Sequence, residues 1–141
     1  MINRELVRGH LVLIAEYLEG LKKLSQLSEE EFLDDERNPA AAESFLRRGL
    51  EAIFDIGRHI VAKTGGVEMA SEYQSIAEGL GKKRVVDSEL SRTLFQMAGY
   101  RNRLVHMYHM IGSKELLAII NDHLGDIEKF IAQVNEYLDD N

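Results

Sequence analysis

Eight consecutive residues, Arg101-Asn102-Arg103-Leu104-Val105-His106-Met107-Tyr108, carry the groups in this chain best suited to phosphate chemistry. A guanidinium stays charged at any cellular pH and offers a planar fork of donors to the oxygens of a phosphodiester. The imidazole of His106 has an ordinary pKa of ~6.5, so it can take up or release a proton near neutrality. The phenol of Tyr108 adds a third polar group close by.

The octapeptide must be positioned by the helix that contains it. Apolar spacing predicts a helix from about Asp87 or Ser88 through the octapeptide to Gly112, with Leu90, Leu94, Met97, Leu104, Val105 and Tyr108 on one stripe. At about 100° per residue, Arg101 falls some 20° from Leu90, in the middle of that stripe. A permanent cation there is costly to desolvate unless an anion, a partner surface or water compensates it. His106 falls about 140° away from Arg101, so one regular helix does not aim both groups at one atom. Either the helix departs from regularity or two copies of the chain pair, so that Arg and His from both line one cleft.

Apolar spacing is helical almost throughout, and no run alternates as a strand would, so the chain reads as all-α. A first helix, about Asn3 to Gln26, carries Leu6, His10, Leu13, Tyr17, Leu21 and Leu24 as one stripe, with His10 at the core edge. Ser28-Glu29-Glu30-Glu31 fits a capping box, and a polar break at residues 34 to 39 ends at Pro39. A long helix from Ala40 to Thr64 repeats Leu46, Leu50, Ile53, Gly57, Ile60 and Val61, and Gly65-Gly66 stops it. On that helix Asp55 and Arg58 read as an exposed ion pair and His59 as a surface histidine. Ser71-Glu72-Tyr73-Gln74 fits a second capping box, opening a short helix that ends near Gly81. Ser113 is placed to cap a last helix that runs through Leu138. Short connections between these helices imply an antiparallel four-to-five-helix bundle, with residues 1–141 as a single domain.

The chain has a net charge of -7, yet residues 82 to 110 hold Lys82, Lys83, Arg84, Arg92, Arg101 and Arg103 against only Asp87 and Glu89. The overall charge argues against a protein that coats nucleic acid non-specifically, while this basic segment suits a local polyanion site. Without cysteine, neither a disulfide framework nor a thiolate metal site is available. No spanning apolar run or signal-like start is visible, so a soluble cytoplasmic protein is expected, with no membrane role. No compact set of His, Asp and Glu has zinc spacing, and neither a metal site nor a cofactor is expected.

Arg101-(four residues)-His106-(one residue)-Tyr108 matches the R-x4-H-x-Y signature, and the chain resembles HEPN-domain toxins of the HepT type. Asn102, directly after the arginine, fits the resemblance, as does Leu50-Glu51-Ala52-Ile53-Phe54-Asp55-Ile56-Gly57-Arg58-His59-Ile60 in the long second helix. The resemblance covers nearly the whole chain in helix order and length. It implies a dimerising helical bundle with a metal-independent endoribonuclease centre between protomers. The partner it implies is an MNT-type nucleotidyltransferase antitoxin of a type II or type VII-like toxin-antitoxin system, which transfers AMP units to the signature tyrosine. Carried over residue by residue, Arg101 is a phosphate clamp, His106 an acid or base, Asn102 a polar supporter and Tyr108 the modification site. Lys82, Lys83, Arg84 and Arg103 are candidates for binding RNA, with tRNA or mRNA as the substrate. Two other readings stay open: a non-catalytic helical module that binds nucleotide or assists a nucleotidyltransferase, and a purely structural role in which Arg101 and Tyr108 form a polar dimer seam.

Overall fold

The computed structural model describes residues 1–66, 70, 72–106 and 111–141. Every regular element among the described residues is a helix: α1 (Arg4–Ser25), α2 (Glu29–Asp34), α3 (Arg37–Lys63), α4 (Tyr73–Lys82), α5 (Ser88–His106) and α6 (Ser113–Asp140). Four are long, and α2 and α4 are short. None of them is long and apolar enough to cross a membrane.

Helix α3 is the centre of the assembly, because its buried residues face more than one side. Leu46, Leu50, Ile53, Gly57, Ile60 and Val61 are buried as their spacing predicts, and Phe54 and Ile56 are fully buried as well. This wide apolar surface lets α3 pack against α1, α4, α5 and α6. The approach of α4 depends on Gly57. A Cβ at that position would stand 2.5 Å from Cγ2 of Ile76 and 3.1 Å from Cδ1 of Leu80, so only a glycine lets α4 come this close. Gly65, with φ of 90°, turns the chain out of α3 in the left-handed region that glycine adopts without cost.

Several helix ends follow their local chemistry. The Asn3 side chain accepts from Leu6 N at 3.1 Å, and Ser28 and Glu31 form the reciprocal capping box. Asp87 accepts from Leu90 N at 2.7 Å and starts α5 where the sequence places it.

Other ends differ from expectation. Pro39 lies inside the first turn of α3, which begins at Arg37. The first N–H groups of a helix have no intrahelical acceptor, so the donor that proline lacks costs nothing there. The cap of α4 is Glu72, without a side-chain hydrogen bond. Ser71 itself lies outside the described residues. Gly112, expected to end α5, precedes α6 in extended conformation, and Ser113 is the first residue of α6 and not its cap.

The stripe predicted for α1 is out of phase by one residue from Leu6 to Tyr17, while Leu21 is buried and Leu24 partly buried as expected. Val7, Leu11, Ile14, Leu18 and Leu21 are buried, whereas Leu6 and Leu13 are 39% and 41% exposed. Both faces of this helix carry leucines, and contact with α3 and α6 together selects the one that is buried. By contrast α6 buries Leu117, Ile120, Ile127, Val134 and Leu138 in the predicted phase, with Leu124 and Ile131 partly buried beside them.

Candidate active site

Helix α5 buries Leu90, Leu94, Met97, Ala98 and Leu104, so Arg101 lies on its covered side, as the periodicity requires. Its side chain is only 13% exposed. The compensation comes from an anion on α3: Arg101 Nε donates to Glu51 Oε1 at 2.5 Å. Arg101 Nη1 donates to Asn102 Oδ1 at 3.1 Å, which makes Asn102 a direct support of the guanidinium. The face of the guanidinium lies against the Tyr73 ring of α4, with Cζ 4.0 Å from the ring centroid. Three helices therefore converge on one cation.

Tyr73 is fixed in turn. It meets Phe54 of α3 edge to face at 5.2 Å between centroids, and Arg58 lies 5.3 Å from its ring centre. Two guanidiniums on one electron-rich ring are tolerable because each has its own carboxylate, Glu51 for Arg101 and Asp55 for Arg58 at 3.0 Å.

Asp55 and Arg58 thus form the predicted i, i+3 pair. His59 is half-buried, not a plain surface histidine: its Nε2 accepts the Asn3 backbone N–H at 2.9 Å. Burial, then Lys63, the N-terminal amine and His10, hold its pKa below the ordinary histidine value. His10 sits at the core edge as expected, donating from Nδ1 to the Leu6 carbonyl at 2.9 Å. Its Nε2 lies 3.9 Å from Asp55.

Arg103, two residues from Arg101, points to a different partner. Its Nη1 and Nη2 donate to Glu115 at 2.5 and 2.8 Å, tying α5 to the start of α6. This fork holds the Glu115 carboxyl below the usual glutamate range. His106 is exposed, where the described part of α5 stops. Arg101 and His106 are therefore not brought together within one chain: the guanidinium is turned toward α3 and α4 while the imidazole stands in solvent. Tyr108 and His109 lie outside the described residues.

The remaining basic candidates occupy the other end of α5. Lys82 ends α4, Lys83 Nζ donates to the Thr64 carbonyl at 2.6 Å, and Arg84 takes a left-handed φ of 58° in the turn before α5. The helix from Ser88 to Arg101 separates them from Arg101 by about 20 Å along its axis. Arg84 also faces a cavity that Asp87, Glu136 and Asp140 line. The charge excess of residues 82 to 110 is thus divided between two places and does not form one patch.

Glu51 and Tyr73 went unrecognised as partners of Arg101 in the sequence. The only available signal was the demand for an anion beside a cation in an apolar stripe, which names the chemical type and not the position. A groove of 710 Å³ between α3 and α5, lined by Glu43, Arg47, Glu51, Leu104 and Val105, opens beside this cluster. Among the described residues, no three His, Asp or Glu side chains are grouped to hold a metal ion.

Known proteins are similar to this chain in sequence and in fold. A tRNA nuclease HepT from Aphanizomenon flos-aquae is 29% identical over 97% of this chain and 92% of its own length. The Bacillus subtilis cytosolic protein of unknown function YutE superposes with a TM-score of 0.81 at 20% identity, covering 99% of this chain and 92% of that one. A tri-AMPylated Shewanella oneidensis HEPN toxin, solved in complex with an MNT antitoxin, superposes with a TM-score of 0.80 at 21% identity, covering 93% of this chain and 97% of the toxin. Both structural likenesses are likenesses of fold. The Ribonuclease HepT-like family model matches residues 14–134, nearly the whole helical assembly, and this chain belongs to that family.

Proposed function

We propose that this chain is the endoribonuclease toxin of a toxin-antitoxin pair, acting in the cytoplasm as a single-domain homodimer that residues 1–141 form. The observation that carries this reading is Arg101. A HepT-like sequence keeps a permanently charged guanidinium in the covered stripe of α5 and invests partners from three helices in holding it.

The reaction follows from the groups present and calls for no metal ion. A base removes the ribose 2'-OH proton, O2' attacks phosphorus, and the P–O5' bond breaks as an acid protonates O5', leaving a 2',3'-cyclic phosphate and a 5'-hydroxyl. Arg101 neutralises charge on the phosphoryl oxygens, and His106 moves a proton as acid or base. Because Arg101 is turned inward and His106 outward on the same helix, a second copy supplies the complementary group to a shared cleft. The name of the Aphanizomenon flos-aquae relative favours tRNA as substrate.

The structural neighbour bound to its antitoxin favours an MNT-type nucleotidyltransferase as partner. Neutralisation then proceeds by AMP transfer to Tyr108, which adds phosphate charge next to an arginine meant for RNA phosphate. Arg103, Lys82, Lys83 and Arg84 contribute to RNA binding at a distance from the reacting phosphate.

The decisive experiment incubates purified protein with tRNA, with and without chelator. Cleavage that ends in a cyclic phosphate, survives chelation and is lost in both Arg101→Ala and His106→Ala is the expected outcome. Intact mass after treatment with antitoxin and ATP is expected to rise in steps of one AMP and to stay constant in Tyr108→Phe. The pairing of Arg101 with Glu51 favours a second reading, in which Arg101 is a structural tether in a non-catalytic module. Binding of RNA without cleavage by the wild-type protein decides for that reading.

A further inference from the structure

We propose that Glu51 and Tyr73 are positioning residues for Arg101, which orient its guanidinium so that one edge alone is offered to the scissile phosphate. This rests on the reading of Arg101 as the phosphate clamp. A guanidinium has five N–H donors in a rigid fork. Glu51 uses the one on Nε at 2.5 Å, and Asn102 uses one on Nη1 at 3.1 Å. The donors left are the second on Nη1 and the two on Nη2. Together they form the end of the fork, the edge that engages two phosphate oxygens at once.

The face of the group is also fixed, since Tyr73 covers it at 4.0 Å. An arginine without such restraints turns about several side-chain bonds and presents its donors in many directions. Here one bond at Nε and one ring against the face remove that freedom before substrate arrives. Pre-set orientation of this kind acts on the reacting geometry, and a displacement of about 1 Å can cost up to about 100-fold in rate.

Glu51 is suited to the task by its location. It is 33% exposed, on the central helix and at the edge of the groove between α3 and α5, so its carboxylate reaches Arg101 without being sealed in. Tyr73 is the first residue of α4, held by Phe54 and by the tight α3–α4 contact at Gly57. The pair Arg103–Glu115 shows what this arrangement is not. There the carboxylate occupies the Nη edge itself, at 2.5 and 2.8 Å, so the end of the fork is already taken.

The test compares kcat and KM for cleavage of tRNA by purified wild-type protein and five variants. Glu51→Met keeps the length of the side chain and removes the acceptor; Glu51→Gln keeps an acceptor and removes the charge. Tyr73→Leu removes the ring, Tyr73→Phe retains it, and Arg101→Ala is the reference for loss. The expected result is a kcat lower by about 10- to 100-fold in Glu51→Met and Tyr73→Leu, with KM within about threefold. Rescue to within about threefold of wild type is expected in Glu51→Gln and Tyr73→Phe.

Wild-type kcat in folded Glu51→Met and Tyr73→Leu, with Arg101→Ala inactive, overturns this inference and leaves the functional reading standing. Full cleavage by Arg101→Ala overturns the functional reading instead. If Glu51→Met or Tyr73→Leu does not keep native helicity, the Nε–H resonance of Arg101 in the wild-type protein decides. A slowly exchanging signal that shifts in Glu51→Gln supports the inference, and a rapidly exchanging one overturns it.

Discussion

Arg101 and Arg103 leave the same stretch of α5, and each has a glutamate oxygen at 2.5 Å, yet the two arginines are in opposite situations. Arg103 spends both Nη groups on Glu115 and acts as a strap between α5 and α6 near the surface. Arg101 is bound through Nε and lies against an aromatic ring in the middle of a buried stripe. A short ion-pair distance alone therefore says little about a residue's task. What distinguishes the two is which edge of the guanidinium is used, and how many separate elements hold it.

The largest effect that separates them is catalytic. Arg101→Ala is expected to lower kcat/KM for RNA cleavage by about 100- to 1000-fold, the cost of losing one preorganised donor from a transition state. Arg103→Ala is expected to raise KM by a few-fold through lost phosphate attraction, with kcat near wild type. Steady-state kinetics on both variants check this, and equal losses in the two would erase the distinction.

The next effect is on packing. Gly57→Ala forces a Cβ into Ile76 and pushes α4, with Tyr73, away from α3, with Glu51. A cost of about 1–3 kcal/mol in denaturant unfolding is expected for such overpacking. Activity is expected to fall further than that of other variants with an equal loss of stability, because the ring and the carboxylate that hold Arg101 are then mispositioned.

A smaller effect is the coupling within each pair. A double-mutant cycle on Arg101 and Glu51, read as unfolding free energy, is expected to return about 0.5–3 kcal/mol, as for side chains in one network. The same cycle on Arg103 and Glu115 is expected to return much less, and to vanish in 1 M salt, since exposed pairs are screened.

The smallest effect is the response to acid. Arg103 holds the folded-state pKa of Glu115 below its unfolded value of about 4.5, so the stabilisation from this pair is fully present above that pH. It is lost as pH falls through the depressed value. His59 behaves in the same sense at higher pH, because its folded pKa is also depressed: its contribution is present above about pH 6.5 and is lost as pH falls through the lowered value. Thermal melts of wild type, Glu115→Gln and His59→Gln between pH 7.5 and 3 are expected to show the wild-type curve losing these two increments in turn.

Much of this arrangement was legible in residue order. Helices with one apolar face, such as α6, reveal their buried residues directly, and so does α5, whose phase correctly put Arg101 among Leu94, Met97 and Leu104. The same phase showed that Arg101 and His106 diverge. Periodicity failed where a helix is apolar on two sides, and α1 buried Val7 and Leu11 where Leu6 and His10 were expected. Local capping rules succeeded at Ser28, whose acceptor needs only its own next few residues, and failed at Ser113, where the chain enters the helix one residue earlier through Gly112.

By itself, then, the order of residues determined that this chain is helical, that a cation must be compensated inside the stripe of α5, and that Asn102 stands next to it. These are properties of spacing along one helix, and spacing is a local quantity. Only the tertiary structure decided that the compensating anion is Glu51, fifty residues earlier, that Tyr73 covers the guanidinium, and that Lys82, Lys83 and Arg84 stand at the far end of α5. Those partners belong to other helices, and which side chains meet across a bundle depends on how the helices cross. That crossing is set by all the packed faces together and by single close approaches such as Gly57 against Ile76, neither of which any one segment encodes.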